Sequence, residues 1–203
     1  MKIVYIIGLT GGIACGKSSI AYILKNSFGA TILDIDDVTN QLLQPGGKLF
    51  ELYLRHFGKN IITQEGVLNR KIVAEIIFNH PDEREWINSV SHPLLLNYAR
   101  DFLVECAGKG VSLVVMEVPL LFEAGWEDLF DEIWAIYATH AVQLWRLMNR
   151  DKLTEEQALK RIAAQMSSEE ICSRADIAIK STNRGKSVRK KVFNIMSRRK
   201  FCL

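Results

Sequence analysis

Short runs of uniformly apolar residues recur along the 203-residue chain. They do not alternate with polar residues, as they would on a strand with one face in water. Uninterrupted apolar runs are typical of parallel strands whose two faces are both covered by helices. The five predicted strands cover residues 3–8, 30–33, 112–118, 133–138 and 177–179.

Apolar positions at helical spacing lie between these runs. Directly after the first strand they predict a helix, and Gly29 is suited to end it. Strands that alternate with helices in this way predict an α/β fold, a three-layer sandwich with a five-stranded parallel sheet flanked by helices. The apolar positions of the first helix are Ile20, Ala21, Ile23, Leu24 and Phe28.

Residues 38–108 interrupt the alternation between the second and third strands. Their apolar positions follow helical spacing, broken at Pro45 and at His80-Pro81, so we predict a helical insertion. Within it, Pro93 is expected to break a helical run, because proline lacks the N–H that a helix needs.

Residues 140–174 form a second, more polar helical segment between the last two strands. Thr154–Gln157 and Ser167–Glu170 both match the capping-box pattern. The segment is therefore expected to contain two or three short helices.

The composition, 48% hydrophobic and 24% charged, is that of a globular domain. It excludes a disordered or collagen-like chain, and no apolar run approaches the ~20 residues of a membrane span. The N-terminal residues lack the cleavage pattern of a secretory signal. The four cysteines and four histidines are widely scattered, which predicts reduced thiols, no Cys/His metal site and a cytoplasmic location.

Residues 184–203 carry eight lysines and arginines and no acidic residue, so the rest of the chain is acidic overall. A basic tail can contact nucleic acid or anionic lipid. We favour a C-terminal amphipathic helix with a solvated basic face, because apolar residues recur at helical spacing. These are Val188, Val192, Ile195 and Met196.

The most informative stretch follows the first strand and precedes the first helix. It fits G-x-x-x-x-G-K-[ST], the P-loop pattern, at every fixed position. Backbone N–H groups of such a loop, with the helix N-terminus, surround phosphate oxygens. Lys17 is then expected to reach the β- and γ-phosphates and Ser18 to ligate Mg²⁺. The predicted ATP-binding residues here are Gly11, Gly12, Ile13, Ala14, Cys15, Gly16, Lys17, Ser18 and Ser19.

A P-loop alone indicates nucleotide binding rather than a particular activity. The N-K-x-D and D-x-x-G motifs of GTP switches are absent from the sequence, and the chain is short for a motor or helicase. A short chain with a helical insertion and late arginines favours a small-molecule kinase.

Acidic residues at the predicted strand ends are candidates for the metal and for the acceptor. Asp34 and Asp36 end the second strand, at the edge where ligands gather in parallel sheets. A carboxylate there can orient an attacking hydroxyl or hold Mg²⁺, although either Asp could instead cap a helix. Glu117, at the end of the third strand, could also approach Mg²⁺ or act as a cap.

Arg146 and Arg150 are four residues apart and so share a helix face, and Arg161 follows on the next helix. Arginines on a mobile helical segment can fold over a triphosphate, neutralise its charge and expel water. The simpler alternative is a surface helix with ordinary charge pairs.

Taken together, the motifs resemble those of the dephospho-CoA kinase family. The matching stretches include the P-loop with its flanks, SHPLL, EVPLLFE, and QLWRLMNRD followed by RIAAQ, in family order over nearly the whole chain. The resemblance implies ATP-dependent phosphorylation of the ribose 3′-hydroxyl of dephospho-CoA, with Mg²⁺. It implies one P-loop kinase domain, 1–203, of the nucleoside-triphosphate hydrolase type. The core would comprise 1–37, 109–139 and 175–203, with a CoA-binding insertion at 38–108 and a lid at 140–174.

The resemblance also implies roles for individual residues. Asp36 would address the acceptor hydroxyl, and Thr10, Arg70 and His92 would lie at the acceptor or phosphate site. Arg146 and Arg150 would belong to the lid and bind ATP, and Asn183 would lie near the adenine. Lys17, Asp36 and Arg146 are thus the expected catalytic residues, and Ser18, with Asp34 or Glu117, the expected magnesium ligands.

Three residues depart from the usual family loop: Ala14 and Cys15 stand for Gly and Ser, and Ser19 for Thr. Ala14 is expected to avoid a positive φ, which glycine tolerates more easily. Cys15 is expected to have a lowered pKa, because its thiol lies at a helix N-terminus beside Lys17, and so to react with alkylating agents unless ATP protects it.

Two other functions remain open from the sequence. One is a kinase of the same architecture that acts on a nucleoside, a nucleotide or a shikimate-like alcohol. The other is a nucleotide-dependent binding module that uses the basic tail on RNA or membrane. For the kinase we expect ATP and dephospho-CoA as partners, no nucleic acid or membrane, and a monomer or weak homo-oligomer.

Overall fold

The structure is a computed structural model that describes residues 4–182 and 185–199. The chain divides into two compact units. The first, 1–34 with 103–203, contains the β-sheet and is called the sheet unit; the second, 35–102, is called the helical unit.

The sheet has five parallel strands in the order β2-β3-β1-β4-β5, which confirms the predicted parallel sheet. All five residues of β3 are buried, as expected of a strand with both faces covered. In register, Glu117 at the end of β3 lies opposite Asp34 at the end of β2. The strands are β1 (Tyr5–Thr10), β2 (Thr31–Asp34), β3 (Leu113–Glu117), β4 (Glu132–Tyr137) and β5 (Ile177–Lys180).

The helices lie between and after the strands, with two short 3₁₀ turns at Gly58–Ile61 and Glu127–Leu129. Within the described residues they are α1 (Lys17–Phe28), α2 (Ile35–Leu42), α3 (Lys48–Phe57), α4 (Arg70–Asn79), α5 (Pro81–Gly108), α6 (His140–Asp151), α7 (Glu155–Ala163), α8 (Ser168–Arg174) and α9 (Gly185–Met196).

The ends of several helices follow the sequence signals. Gly29, in a left-handed conformation with φ of 67°, ends α1 as predicted. Thr154 forms a complete capping box with Gln157, and Ser167 caps α8 through the Glu170 N–H. The segment 140–174 therefore contains three helices, within the predicted number.

The core of the sheet unit joins the strands to α1 and α9. Because the apolar face of α9 is buried while its basic residues are exposed, the prediction of an amphipathic C-terminal helix is confirmed over the described part of the tail. The main helical contributors to this core are Ile20, Leu24, Val188, Val192 and Met196.

The helical unit has its own apolar cluster, centred on Leu49, Tyr53 and Val73. The expectation that Pro93 breaks its helix is wrong, because α5 continues through it. An interior proline costs ~3 kcal/mol. Buried residues on both sides, Ile87 before it and Leu95 after it, offset this cost by keeping the helix packed.

Candidate active site

The loop 11–18 connects β1 to α1, and α1 begins at Lys17 as predicted. Gly11 and Gly16 have φ of 137° and 96°, where side chains other than hydrogen are strained. A Cβ on Gly11 would also lie 2.0 Å from the Ile136 carbonyl oxygen. The loop therefore requires glycine at both fixed positions of the motif for steric reasons.

Lys17 lies along the loop that it follows. Its Nζ donates to the carbonyl oxygens of Gly11 at 2.8 Å and Gly12 at 3.2 Å. These bonds hold the ammonium group over the loop, where the anionic phosphates of a nucleotide would enter. Phosphate oxygens can replace the neutral carbonyls, because hydrogen bonds to an ionised acceptor are stronger.

Three residues with oxygen-bearing side chains lie where β2 and β3 end or at the start of α1 beside them. The Ser18 hydroxyl donates to Oε2 of Glu117 at 3.0 Å, and Asp34 is the register partner of Glu117 on β2. Glu117 is buried. Hydroxyl and carboxylate oxygens are the ligands that Mg²⁺ prefers, usually together with phosphates and water. The donor set fits a magnesium ion, although the described residues contain no group of three or more His, Cys, Asp or Glu that could hold a metal alone.

Arg146, on α6, contacts the same loop. Its Nη1 donates to the carbonyl oxygens of Ala14 at 3.4 Å and Cys15 at 3.3 Å, and to Oγ of Ser181 at 2.9 Å. Arg146 is thus anchored to the loop 11–18 by its own guanidinium group.

Arg150 and Arg161 share one carboxylate instead. Nε of Arg150 lies 2.7 Å from Oδ1 of Asp151, and Nη1 of Arg161 lies 2.9 Å from Oδ2. The hydrogen bond from Arg150, and then the charges of both arginines, lower the pKa of Asp151. The pairing between Arg161 and Asp151 joins α6 to α7.

Two glutamines and a serine near the loop were not singled out from the sequence. Gln143 donates to the Ile13 carbonyl oxygen, Gln165 accepts from the Ile13 N–H, and Ser181 accepts from Arg146. Gln143 precedes Arg146 by three residues and so shares its helix face, which is a signal that could have found it. For Ser181, no local signal exists.

The acceptor residues implied by the resemblance fall in both units. Thr10, in the sheet unit, is buried and donates weakly to the Pro119 carbonyl oxygen at 3.4 Å. Asp36 lies in the first turn of α2 and Arg70 at the start of α4, both exposed. His92 is half-buried in α5, and desolvation lowers its pKa.

Two expectations about the loop are wrong. Ala14 adopts φ of 58°, in the left-handed region that it was expected to avoid. Such a residue costs roughly 1–2 kcal/mol. The Cys15 N–H donates across it to the Gly12 carbonyl oxygen at 3.3 Å and closes a turn. Cys15 is fully buried, and burial raises its pKa in spite of the nearby Lys17 and Arg146 charges. Its thiol is therefore a packing group and a poor target for alkylation.

A cavity of about 500 Å³ opens beside the start of α1. Trp145 borders it and is 60% exposed, a large fraction for an indole. Asn183, expected near the adenine, lies outside the described residues. The lining residues are Gly16, Ser19, Ile23, Trp145, Arg146, Ser181, Thr182 and Val188.

The described part of the chain contains no helix that is both long and apolar enough to cross a membrane. Cys15, Cys106 and Cys172 are free thiols.

Comparison with known proteins identifies relatives over the whole chain. Residues 5–187 match the family model described as CoaE, dephospho-CoA kinase. A dephospho-CoA kinase from Carboxydothermus hydrogenoformans is 37% identical over 201 residues, which are 99% of this chain and 97% of that protein.

Solved structures agree with this match. The dephospho-CoA kinase from Campylobacter jejuni has a TM-score of 0.68 at 29% identity, covering 96% of each chain. A shikimate kinase from Acinetobacter baumannii, at 18% identity and a TM-score of 0.55, covers 98% of this chain and 96% of its own. That second likeness is one of fold alone.

Proposed function

The chain belongs to the dephospho-CoA kinase family, and from this premise we propose that it transfers the γ-phosphoryl group of ATP to the ribose 3′-hydroxyl of dephospho-CoA. The family catalyses the ATP-dependent phosphorylation that forms CoA in the last step of its biosynthesis. The observation that carries the proposal is the convergence of Lys17 and Arg146 on one phosphate loop within a family match of residues 5–187.

Lys17 and Arg146 supply the positive charge of the transfer. When a triphosphate enters, the Lys17 ammonium leaves the Gly11 and Gly12 carbonyls and binds the β- and γ-phosphate oxygens. Arg146 is held beside the loop by Ser181 and the loop carbonyls, so its guanidinium would reach the phosphates with little further loss of side-chain freedom. Preorganised donors of this kind stabilise the charge that develops in the transition state.

Ser18 would hold Mg²⁺, with Glu117 and Asp34 as the nearby carboxylates. Mg²⁺ would neutralise charge on the β- and γ-phosphates when bound. The 3.0 Å bond from Ser18 to Glu117 supports this assignment, because it fixes the hydroxyl at the carboxyl edge of the sheet.

Asp36 would accept a hydrogen bond from the acceptor hydroxyl and orient it for attack. An unperturbed aspartate has a pKa of ~3.9 and is a weak base at neutral pH, so orientation is its main contribution. Within the helical unit, Arg70 and His92 would bind the phosphate or ribose of the acceptor. Thr10 of the sheet unit is also proposed as an acceptor-binding residue. Arg70 begins α4 and is exposed, which leaves its guanidinium accessible to an anionic substrate.

The adenine base would occupy the cavity beside α1. Trp145 provides a flat aromatic surface there and Arg146 a flat cationic one. Ser181 and Thr182 provide hydrogen-bonding groups. An exposed indole at the border of this cavity supports stacking on a base, which needs no particular hydrogen-bond pattern.

We also propose a cytoplasmic enzyme that is a monomer or weak homo-oligomer and binds neither nucleic acid nor membrane. The three free thiols support a reducing compartment. The burial of the apolar face of α9 in the core supports a structural role for the tail rather than a nucleic-acid arm.

The proposal is tested by measuring ADP release from Mg-ATP with dephospho-CoA, AMP, adenosine, shikimate or pantothenate as acceptor. ADP release that depends on dephospho-CoA, with CoA as the product, is expected. Turnover of another alcohol with no stimulation by dephospho-CoA would contradict the substrate while leaving the kinase chemistry intact. Silence with every acceptor would favour a nucleotide-dependent binding module.

A further inference from the structure

Both main-chain groups of Ile13 are held by glutamine side chains that are far away in sequence. The Ile13 N–H donates to Oε1 of Gln165 at 2.7 Å, and Nε2 of Gln143 donates to the Ile13 carbonyl oxygen at 2.8 Å. Gln143 lies on α6 and is 4% exposed, and Gln165 follows α7. The main-chain partners fix which atom of each amide faces the loop: Gln165 must accept and Gln143 must donate.

The next residue, Ala14, has the left-handed φ of 58°. The φ and ψ angles of a residue set the relative orientation of the two peptide planes on either side of its Cα. Gln143 bonds to the carbonyl of the plane before Ala14, and Arg146 bonds to the carbonyl of the plane after it. Since both planes are held from α6, the backbone between them is held in its strained conformation.

Gly12 leaves the space that this arrangement needs. A Cβ on Gly12 would lie 2.7 Å from Nε2 of Gln143, so a side chain there would displace the glutamine. This glycine is a variable position of the P-loop pattern. The need for glycine at position 12 is therefore explained by Gln143 and not by the motif.

The local bond from the Cys15 N–H to the Gly12 carbonyl oxygen, at 3.3 Å, closes a turn with Ile13 and Ala14 at its centre. We propose that Gln143 and Gln165, which bond to the carbonyl and the N–H of Ile13, are positioning residues that hold this turn with Ala14 in the left-handed conformation, so that the loop amides after Cys15 face the phosphates of the nucleotide. A glycine at position 14 would adopt this conformation without strain, whereas an alanine needs external bonds. The nucleotide-binding shape of the loop therefore depends on the lid segment. This inference deepens the proposed function and rests on it only for the identity of the nucleotide.

The test measures the dissociation constant of Mg-ADP, which requires no acceptor. Gln143→Met and Gln165→Met remove the amides at nearly constant volume, each in the natural chain and each combined with Ala14→Gly. Each bond is expected to change affinity about 3- to 10-fold, as a net hydrogen bond does. In the natural chain we expect the dissociation constant of Mg-ADP to rise by this factor. In the Ala14→Gly background we expect the logarithm of the dissociation constant to rise by less than half as much. Gln44→Met, an exposed glutamine of the helical unit, serves as the matched control and is expected to leave binding unchanged.

Equal weakening in the natural chain and in the Ala14→Gly background overturns the inference, because the glutamines would then act independently of the strain. Unchanged Mg-ADP binding in both methionine variants overturns it as well. Gln165 is only partly buried, so Gln165→Met keeps the test decisive if Gln143→Met fails to fold. In kinetics, we expect KM for ATP to rise while KM for the acceptor stays the same. A failure of dephospho-CoA to act as acceptor would leave the Mg-ADP result unaffected.

Discussion

The phosphate loop of the sheet unit and the helical unit are stabilised by different kinds of interaction. The loop is held by hydrogen bonds to side chains more than 90 residues away, on β3, on α6 and after α7. The helical unit is held by an apolar cluster, and its candidate functional residues Asp36 and Arg70 are exposed. The comparison teaches that the loop proposed to bind phosphate is preorganised by a polar network, whereas the proposed acceptor residues Asp36 and Arg70 lie on the surface of a separately packed unit.

Lys17→Ala removes the ammonium group from the phosphate loop of the sheet unit and should have the largest effect of the variants considered. Loss of a charge-stabilising donor is expected to lower kcat/KM roughly 10²- to 10³-fold while the fold is retained. ADP release measures the activity and circular dichroism the fold. Lys25→Ala, an exposed lysine in the last turn of α1, is the control. An active Lys17→Ala enzyme would contradict the role assigned to the ammonium group.

Asp36→Asn tests the proposed role of the helical unit in binding the acceptor. Removing the carboxylate that orients the acceptor should lower kcat about 10²-fold, at the low end for general acid–base groups, with KM for ATP unchanged. Because Asp36 is exposed, the thermal midpoint should change little.

Asp37→Asn is the matched control, since Asp37 is the exposed neighbour in the same first turn. Steady-state kinetics with both substrates separates the two variants. Equal kinetics in both would show that neither carboxylate addresses the acceptor.

Trp145→Ala tests whether the indole that borders the cavity binds the base of the nucleotide. Base–aromatic stacking is worth ~1–3 kcal/mol, and at the low end its loss should raise KM for ATP about fivefold with little change in kcat. Tyr22→Ala removes an aromatic side chain that is also largely exposed but lies outside the cavity lining, and it should be neutral. Quenching of tryptophan fluorescence by ADP, lost in Trp145→Ala, provides an independent reading.

His92 gives the smallest predicted effect, on the pH dependence of stability. Burial lowers the pKa of His92 below its usual 6.5, so the unfolded chain binds this proton more readily. His92 therefore contributes a loss of stability as the pH falls below about 6.5. Urea midpoints at pH 7.5 and 5.5 should differ less in His92→Gln than in the natural chain. The exposed His80 is the control, and His80→Gln should retain the full difference.

The motif predicted the backbone of the loop correctly at its fixed positions and less well between them. Gly11 and Gly16 have the positive φ that glycine allows, and Lys17 lies along the loop, while its binding of phosphate stays a prediction. Ala14 and Cys15 were interpreted from their immediate neighbours. Long-range hydrogen bonds, added to the local one from the Cys15 N–H to the Gly12 carbonyl oxygen, hold Ala14 at positive φ, and burial outweighs the charges beside Cys15.

The sequence by itself determined the five parallel strands, the start of α1 at the phosphate loop and the capped helices of the segment 140–174. These follow from apolar periodicity, glycine sterics and side chains that bond within three or four residues, all of which are local. The tertiary structure alone decided that Gln143, Gln165 and Arg146 fix the loop and that Asp34 and Glu117 are direct register partners on neighbouring strands. Those contacts join residues 83 to 152 positions apart, and only the packing of helices on the sheet brings such polar groups within bonding distance.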